Sequence, residues 1–107
     1  MNKNISDELQ LKIEKLLSDS GCSISRGFFY IRKCIELIAT ENIVLEMMFL
    51  KGLYKHVIEK HNLQINVLAF QKAIERFVCD EWQKFPHLFN QKPCVKKFLI
   101  TFVHNLR

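Results

Sequence analysis

Residues 53–82, LYKHVIEKHNLQINVLAFQKAIERFVCDEW, decide the fold. They read as two helices joined by a tight polar turn. The first helix is expected over Leu53–His61, with Leu53, Val57 and Ile58 on one face and Lys55, His56, Glu59 and Lys60 around the rest. Asn62-Leu63-Gln64-Ile65 makes the turn. Asn66 stands where an N-cap belongs, because its side-chain oxygen can accept a hydrogen bond from an orphan N–H one turn on. The second helix runs to about Trp82. Its Phe70, Ala73, Ile74, Phe77, Val78 and Trp82 have the spacing of one buried helical face. At about 100° per residue, Ala69, Lys72, Arg76 and Gln83 fall on an opposite stripe, with Gln71 and Glu75 beside it. A short helix, a turn and a longer helix with a partly basic outer stripe is the sequence form of a helix-turn-helix. A helical hairpin without any ligand has the same apolar pattern, and two exposed cations are common on a plain solvated face.

The flanking stretches are helical too. A first helix is expected to start after Ser6, with Asp7 and Glu8 in its first turn, where they complement the positive helix end. Leu9, Ile13, Leu16 and Leu17 give it an apolar face, and Gly21 stops it. A second helix spans about Arg26 to Ala39. Phe28, Ile31, Ile35 and Ile38 make one stripe, and Tyr30, Cys34 and Leu37 another beside it. So wide an apolar arc belongs to a helix central to a bundle; Arg32, Lys33 and Glu36 are left for solvent. Asn42–Phe49 reads as a short helix ending before Gly52. Between Trp82 and Pro93, two prolines and several polar residues mark a loop that Phe85, Leu88 and Phe89 pin to the core. The last helix spans about Cys94 to Leu106, with Val95, Phe98, Leu99, Phe102, Val103 and Leu106 inward and Lys96, Lys97, His104 and Arg107 outside. No strand pattern, repeat or low-complexity tract interrupts this. The expected fold is all-α, a five- to six-helix bundle containing a helix-turn-helix, in one domain over residues 1–107.

Composition agrees. Apolar residues make up 49% of the 107 residues, enough for a core and against wholesale disorder. The net charge of +5 points towards an anionic partner such as nucleic acid. Cys22, Cys34, Cys79 and Cys94 form no C-x-x-C pair and read as reduced, buried or half-buried residues. The polar N-terminus lacks a secretory signal, and no apolar run approaches the ~20 residues a membrane helix needs. A cytoplasmic protein is expected, with no membrane partner.

Signs of enzyme chemistry are weak. His56 and His61 are spaced wrongly to share one helix face as metal ligands. Gly21, Gly27 and Gly52 are isolated, so no phosphate loop exists, and no local signature joins a cysteine to His and an acid. Asp80 and Glu81 are neighbours on a helix and do not face each other. No metal and no cofactor are expected.

Two stretches carry a resemblance. Arg26-Gly27-Phe28-Phe29-Tyr30-Ile31-Arg32-Lys33-Cys34-Ile35 is similar to a Gly-Tyr-x-Tyr-Leu-Arg-x-Ala-Ile segment, and Leu53-Tyr54-Lys55-His56-Val57-Ile58-Glu59-Lys60-His61-Asn62 to a Leu-Tyr-x-x-Ile-Ala-x-x-Phe-Asn segment. Both segments belong to the C-terminal DNA-binding domain of the master response regulator of sporulation initiation in endospore-forming Firmicutes. Ala73-Ile74 and Trp82 match its spacing, and the resemblance extends from about Ile13 to Leu106. It implies a six-helix domain whose fifth helix enters the major groove, with two domains on tandem half-sites, normally fused to a receiver domain. The 107 residues hold no receiver. The turn is longer than the family's, and the segment after Trp82 is shorter. Where the family's reading helix begins Arg-Val-Glu-Arg, this chain has Ala69, Phe70, Gln71 and Lys72. Ala69 lacks the guanidinium that grips a guanine edge, while Gln71 suits adenine and Lys72 guanine or a phosphate.

The expected function is therefore a DNA-binding transcriptional regulator. Asn66, Gln71, Lys72 and Arg76 are the base-reading candidates; Lys55, Lys60, Gln64, Lys96 and Lys97 are the phosphate candidates. Double-stranded DNA is the partner, with self-association on tandem sites or a related regulator beside it. The alternative is a helical protein-interaction module that has lost base readout and modulates a related regulator; Ala69 and Glu75 motivate it.

Overall fold

The computed structural model describes residues 2–45 and 49–106, with side chains from Asp7 onward. Five α-helices account for most of these residues: α1 (Asn2–Asp19), α2 (Arg26–Thr40), α3 (Leu50–Lys60), α4 (Val67–Glu81) and α5 (Val95–Leu106). A 3₁₀ turn, Trp82–Lys84, extends α4. No strand occurs among the described residues.

Three of the helices stop by one device. Gly21, Asn42 and Asn62 take φ of 79°, 51° and 51°, the left-handed region that Gly reaches freely and Asn tolerates. Each is followed by an N–H that reaches back to a carbonyl near the helix end: Cys22 to Leu17 at 3.4 Å, Ile43 to Ile38 at 3.2 Å, Leu63 to Ile58 at 2.9 Å. These bonds satisfy carbonyls that a helix end otherwise leaves open. Asn42 in this role ends α2, so Ile43 and Val44 are not helical, contrary to the helix expected over Asn42–Phe49. Leu45 takes a 3₁₀ conformation, Phe49 is the extended residue before α3, and residues 46–48 of that expectation lie outside the described residues. At the other end of the chain, α1 starts at Asn2 and not after Ser6, which puts Asp7 and Glu8 inside the helix. An apolar period marks the body of a helix and leaves its first turn open.

The α2 helix is the hub. It packs on α4 most extensively and also meets α1, α3 and α5. Gly27 makes this possible: a Cβ there would stand 2.7 Å from both the Ala73 carbonyl oxygen and Phe77 Cβ. Tyr30 stacks on Phe70 with centroids 4.5 Å apart, and Tyr54 of α3 meets the same ring at 5.1 Å. Phe77 sits edge-on to Phe28 and to Phe98 of α5. Phe98 in turn contacts Phe85, Phe89 and Phe102, so the loop after α4 is held as expected. Such aromatic pairs add about 0.5–1.5 kcal/mol beyond burial. The radius of gyration, 13.0 Å, is what a folded chain of this length should have.

The polar side of α2 is covered more than its pattern suggests. Glu36 accepts from Gln10 at 3.2 Å, and Arg32 donates to Glu14 at 2.9 Å, so α1 lies across it. Lys33 and Glu36 are consequently half-buried and 3.8 Å apart. Two cysteines also depart from expectation. Cys22 and Cys34 are buried, whereas Cys79 and Cys94 are exposed, the first on the outer side of α4 and the second in the loop before α5.

Gly27→Ala is expected to destabilise the fold by about 1–3 kcal/mol, because one neighbour of the new Cβ is backbone and the helices must separate. Urea unfolding followed by circular dichroism measures it, and Gly27→Val should cost more.

Candidate functional site

The outer side of α4 is the surface most clearly set up by the core. Phe70, Ile74, Phe77, Val78 and Glu81 are buried, which fixes the roll of the helix about its axis. The opposite side carries Leu68, Lys72, Glu75, Arg76, Cys79 and Gln83, all exposed. On a helical wheel Lys72 stands at the apex, with Arg76 turned towards α2 and Glu75 towards α5. Asn66 opens the helix: its side-chain oxygen accepts from the Ala69 N–H at 2.8 Å, as the sequence predicts. The connection from α3 spans residues 61–66, with Asn62 at the left-handed position and Leu63 and Ile65 half-buried beneath it.

The structure brings several of the singled-out residues together and separates others. Lys72 is exposed and in no ion pair among the described residues. Arg76 is 86% exposed, and its Nε lies 3.8 Å from Asp80, a loose surface pair worth little. Gln71 is half-buried on the α5 flank, where its amide donates to Glu75 at 3.3 Å. It lines a cleft with Phe49, Lys51, Tyr54, Glu75 and Lys96, so Lys96 comes alongside α4. The Tyr54 hydroxyl is buried without a hydrogen-bond partner, and burial pushes its pKa up. Lys55 and Gln64 are exposed, on α3 and in the turn. Lys60 is engaged with Glu41 at 3.0 Å, and this bond, ahead of the neighbouring His56, holds the Glu41 carboxyl below its usual range. Lys97 faces a different hollow, with Lys92 and residues 88–94.

Other residues enter this surface that the sequence reading did not assign to it. Arg26, at the start of α2, lines a groove against Lys72, Arg76 and Asp80. Lys51 joins Lys96 on the opposite flank. Glu81 is only 6% exposed. It accepts from the Ser23 N–H at 3.2 Å and pairs with Lys84 at 2.6 Å, and Lys84 also donates to the Gly21 carbonyl at 3.0 Å. The end of α4 is thereby tied to the α1–α2 link. The signal for Glu81 was present in the spacing, since it follows Phe77 by one helical turn and so shares the buried face.

Charge is uneven along the chain. Residues 49–106 hold nine Lys and Arg against four Asp and Glu, whereas residues 7–45 hold five against six. The positive excess therefore lies on α3, on α5 and in the segment between α4 and α5, whereas α4 itself carries Lys72 and Arg76 against Glu75, Asp80 and Glu81. The buried thiols are poor nucleophiles: burial pushes Cys22 up to about 11 and Cys34 higher still. Among the described residues, no three His, Cys, Asp or Glu side chains gather as metal ligands would. No helix among them is long and apolar enough to cross a membrane.

The fold and this surface define an all-helical protein whose α4 turns a side of mixed charge, Lys72 and Arg76 with Glu75 and Asp80, to solvent. Comparison with family models, with curated proteins and with solved structures returns no match.

Asn66→Ala should cost about 1 kcal/mol through loss of the cap on α4. Asn66→Asp should restore most of it, as read by the shift in the urea midpoint.

Proposed function

We propose that the chain is a DNA-binding transcriptional regulator of the sporulation-regulator type, using α3 and α4 as a helix-turn-helix with α4 laid in the major groove. One observation carries the reading: Lys72 stands at the apex of a helix whose other side is locked into the core, with Arg76 also free to solvent. A B-DNA major groove is about 12 Å wide and admits a helix with its side chains. Lys72 at the apex reaches a base edge, and Gln71 does so once its weak bond to Glu75 is released. Asn66 has committed its oxygen to the cap, which leaves its amide N–H groups for a base or phosphate. Lys55, Gln64 and Lys96 lie to the sides as backbone contacts, joined by Lys51. Lys60 contributes only by giving up Glu41, and Lys97 stands away from α4.

A second reading keeps a specific observation of its own. Leu68 is 59% exposed at the start of α4, beside Ala69, where a base-reading helix needs polar groups. With Glu75 on the flank, this suits a helical module that docks on a related regulator and blocks it.

Titration of the chain against a fluorescent duplex separates the two. The DNA reading expects binding at low salt that weakens steeply as salt rises, by about 0.9 in the log–log slope per phosphate neutralised. Replacing Lys72 and Arg76 together by Ala should lower affinity at least about tenfold. Absence of binding at low salt would end that reading and leave the docking module.

A further inference from the structure

We infer that the groove between the start of α2 and the outer flank of α4 binds the phosphodiester backbone of the duplex, with Arg26 as its anchor and Arg76 as a backbone contact, not a base reader. The inference rests on the DNA-binding reading and extends it to a strand and to residues outside the helix-turn-helix.

The groove measures about 700 Å³, with Ser23, Ser25 and Arg26 on one wall and Lys72, Arg76 and Asp80 on the other. Its floor is Gly27 against Ala73 and Phe77, the closest approach of α2 and α4. The groove is therefore built by the core and not by flexible chains alone. Four cations line it, and their states differ. Lys84 is neutralised by Glu81 and held to the Gly21 carbonyl. Arg76 has only the loose contact with Asp80 at 3.8 Å. Arg26 and Lys72 are in no ion pair among the described residues, and both are exposed. Two free cations and one weakly held one thus face each other across a trough open to solvent, which is the arrangement an extended polyanion fills best.

The roll of α4 separates the roles. Lys72 is at the apex, so with α4 in a major groove it points at base edges. Arg76 is displaced towards α2, the side from which a groove wall, the sugar–phosphate strand, rises past the helix. Arg26 meets the same strand from the other side of the trough. Guanidinium groups suit this task, because their fork matches two phosphate oxygens at once.

Salt-dependent titration of the full chain with a duplex, comparing wild type, Arg26→Ala, Arg26→Lys, Arg76→Ala, Lys72→Ala and Lys92→Ala, tests the assignment. Arg26→Ala and Arg76→Ala should each flatten the log–log salt slope by about 0.9 and weaken binding severalfold, with Arg26→Lys restoring the slope. Selection from random duplexes should return the same preferred sequence for both as for wild type, whereas Lys72→Ala should alter it. Lys92, in the loop before α5, serves as the control and should change nothing. A wild-type slope for Arg26→Ala, or a changed sequence preference for Arg76→Ala, overturns the assignment while DNA binding stands. A wild-type chain that does not bind duplex at low salt overturns both.

Discussion

The contact between α2 and α4 at Gly27 is the constraint on which the rest depends. Without a side chain at that position, the α2 backbone meets the Ala73 carbonyl and Phe77 Cβ directly. The close approach lets Tyr30 stack on Phe70 and Phe28 meet Phe77, so α4 is gripped at two points along its inner face. Phe98 and Tyr54 complete the grip from α5 and α3. A helix held by rings on several sides cannot roll, because aromatic packing has discrete arrangements and interiors are close-packed. The outer side of α4 is consequently a fixed surface, and Lys72 stays at its apex.

The polar anchors reinforce the same geometry. Glu81 would be an expensive group to bury alone, but it has the Ser23 N–H and the Lys84 ammonium as partners. The pair ties the end of α4 to the link before α2, and so sets the wall of the groove that Arg26 lines. On the opposite flank, Gln71 and Glu75 bond to each other beside Lys96 and Lys51. The α4 helix thus has cations on both sides and a mixed apex. Leu68 and Glu75 keep the apex from being uniformly basic.

Much of this was legible beforehand. The spacing of Phe70, Ile74, Phe77 and Val78 defined the buried side of α4, and Asn66 announced its start, because capping chemistry is local. The wide apolar arc of α2 marked it as central, and its hub position bears that out. The loop aromatics Phe85 and Phe89 are buried as read. The Asn42–Val44 stretch was misjudged because an apolar run has no period of its own, whereas an Asn in the left-handed conformation is a stop signal that overrides it.

By itself, then, the sequence determined the five helices, the Gly21 stop, the Asn66 cap and the inner side of each helix, all of which follow from interactions within a turn or two of chain. Only the tertiary structure decided which polar groups share a place. Arg26 lies far from Arg76 in sequence and lines the same groove because Gly27 lets two helix axes converge. Lys60 and Lys97, equivalent to Lys96 on a helical wheel's account of exposure, are drawn off by Glu41 and by a different hollow. Periodicity reports which way a side chain faces from its own helix. It is silent on what the neighbouring helix puts opposite, and that distance is what sets the electrostatics of a site.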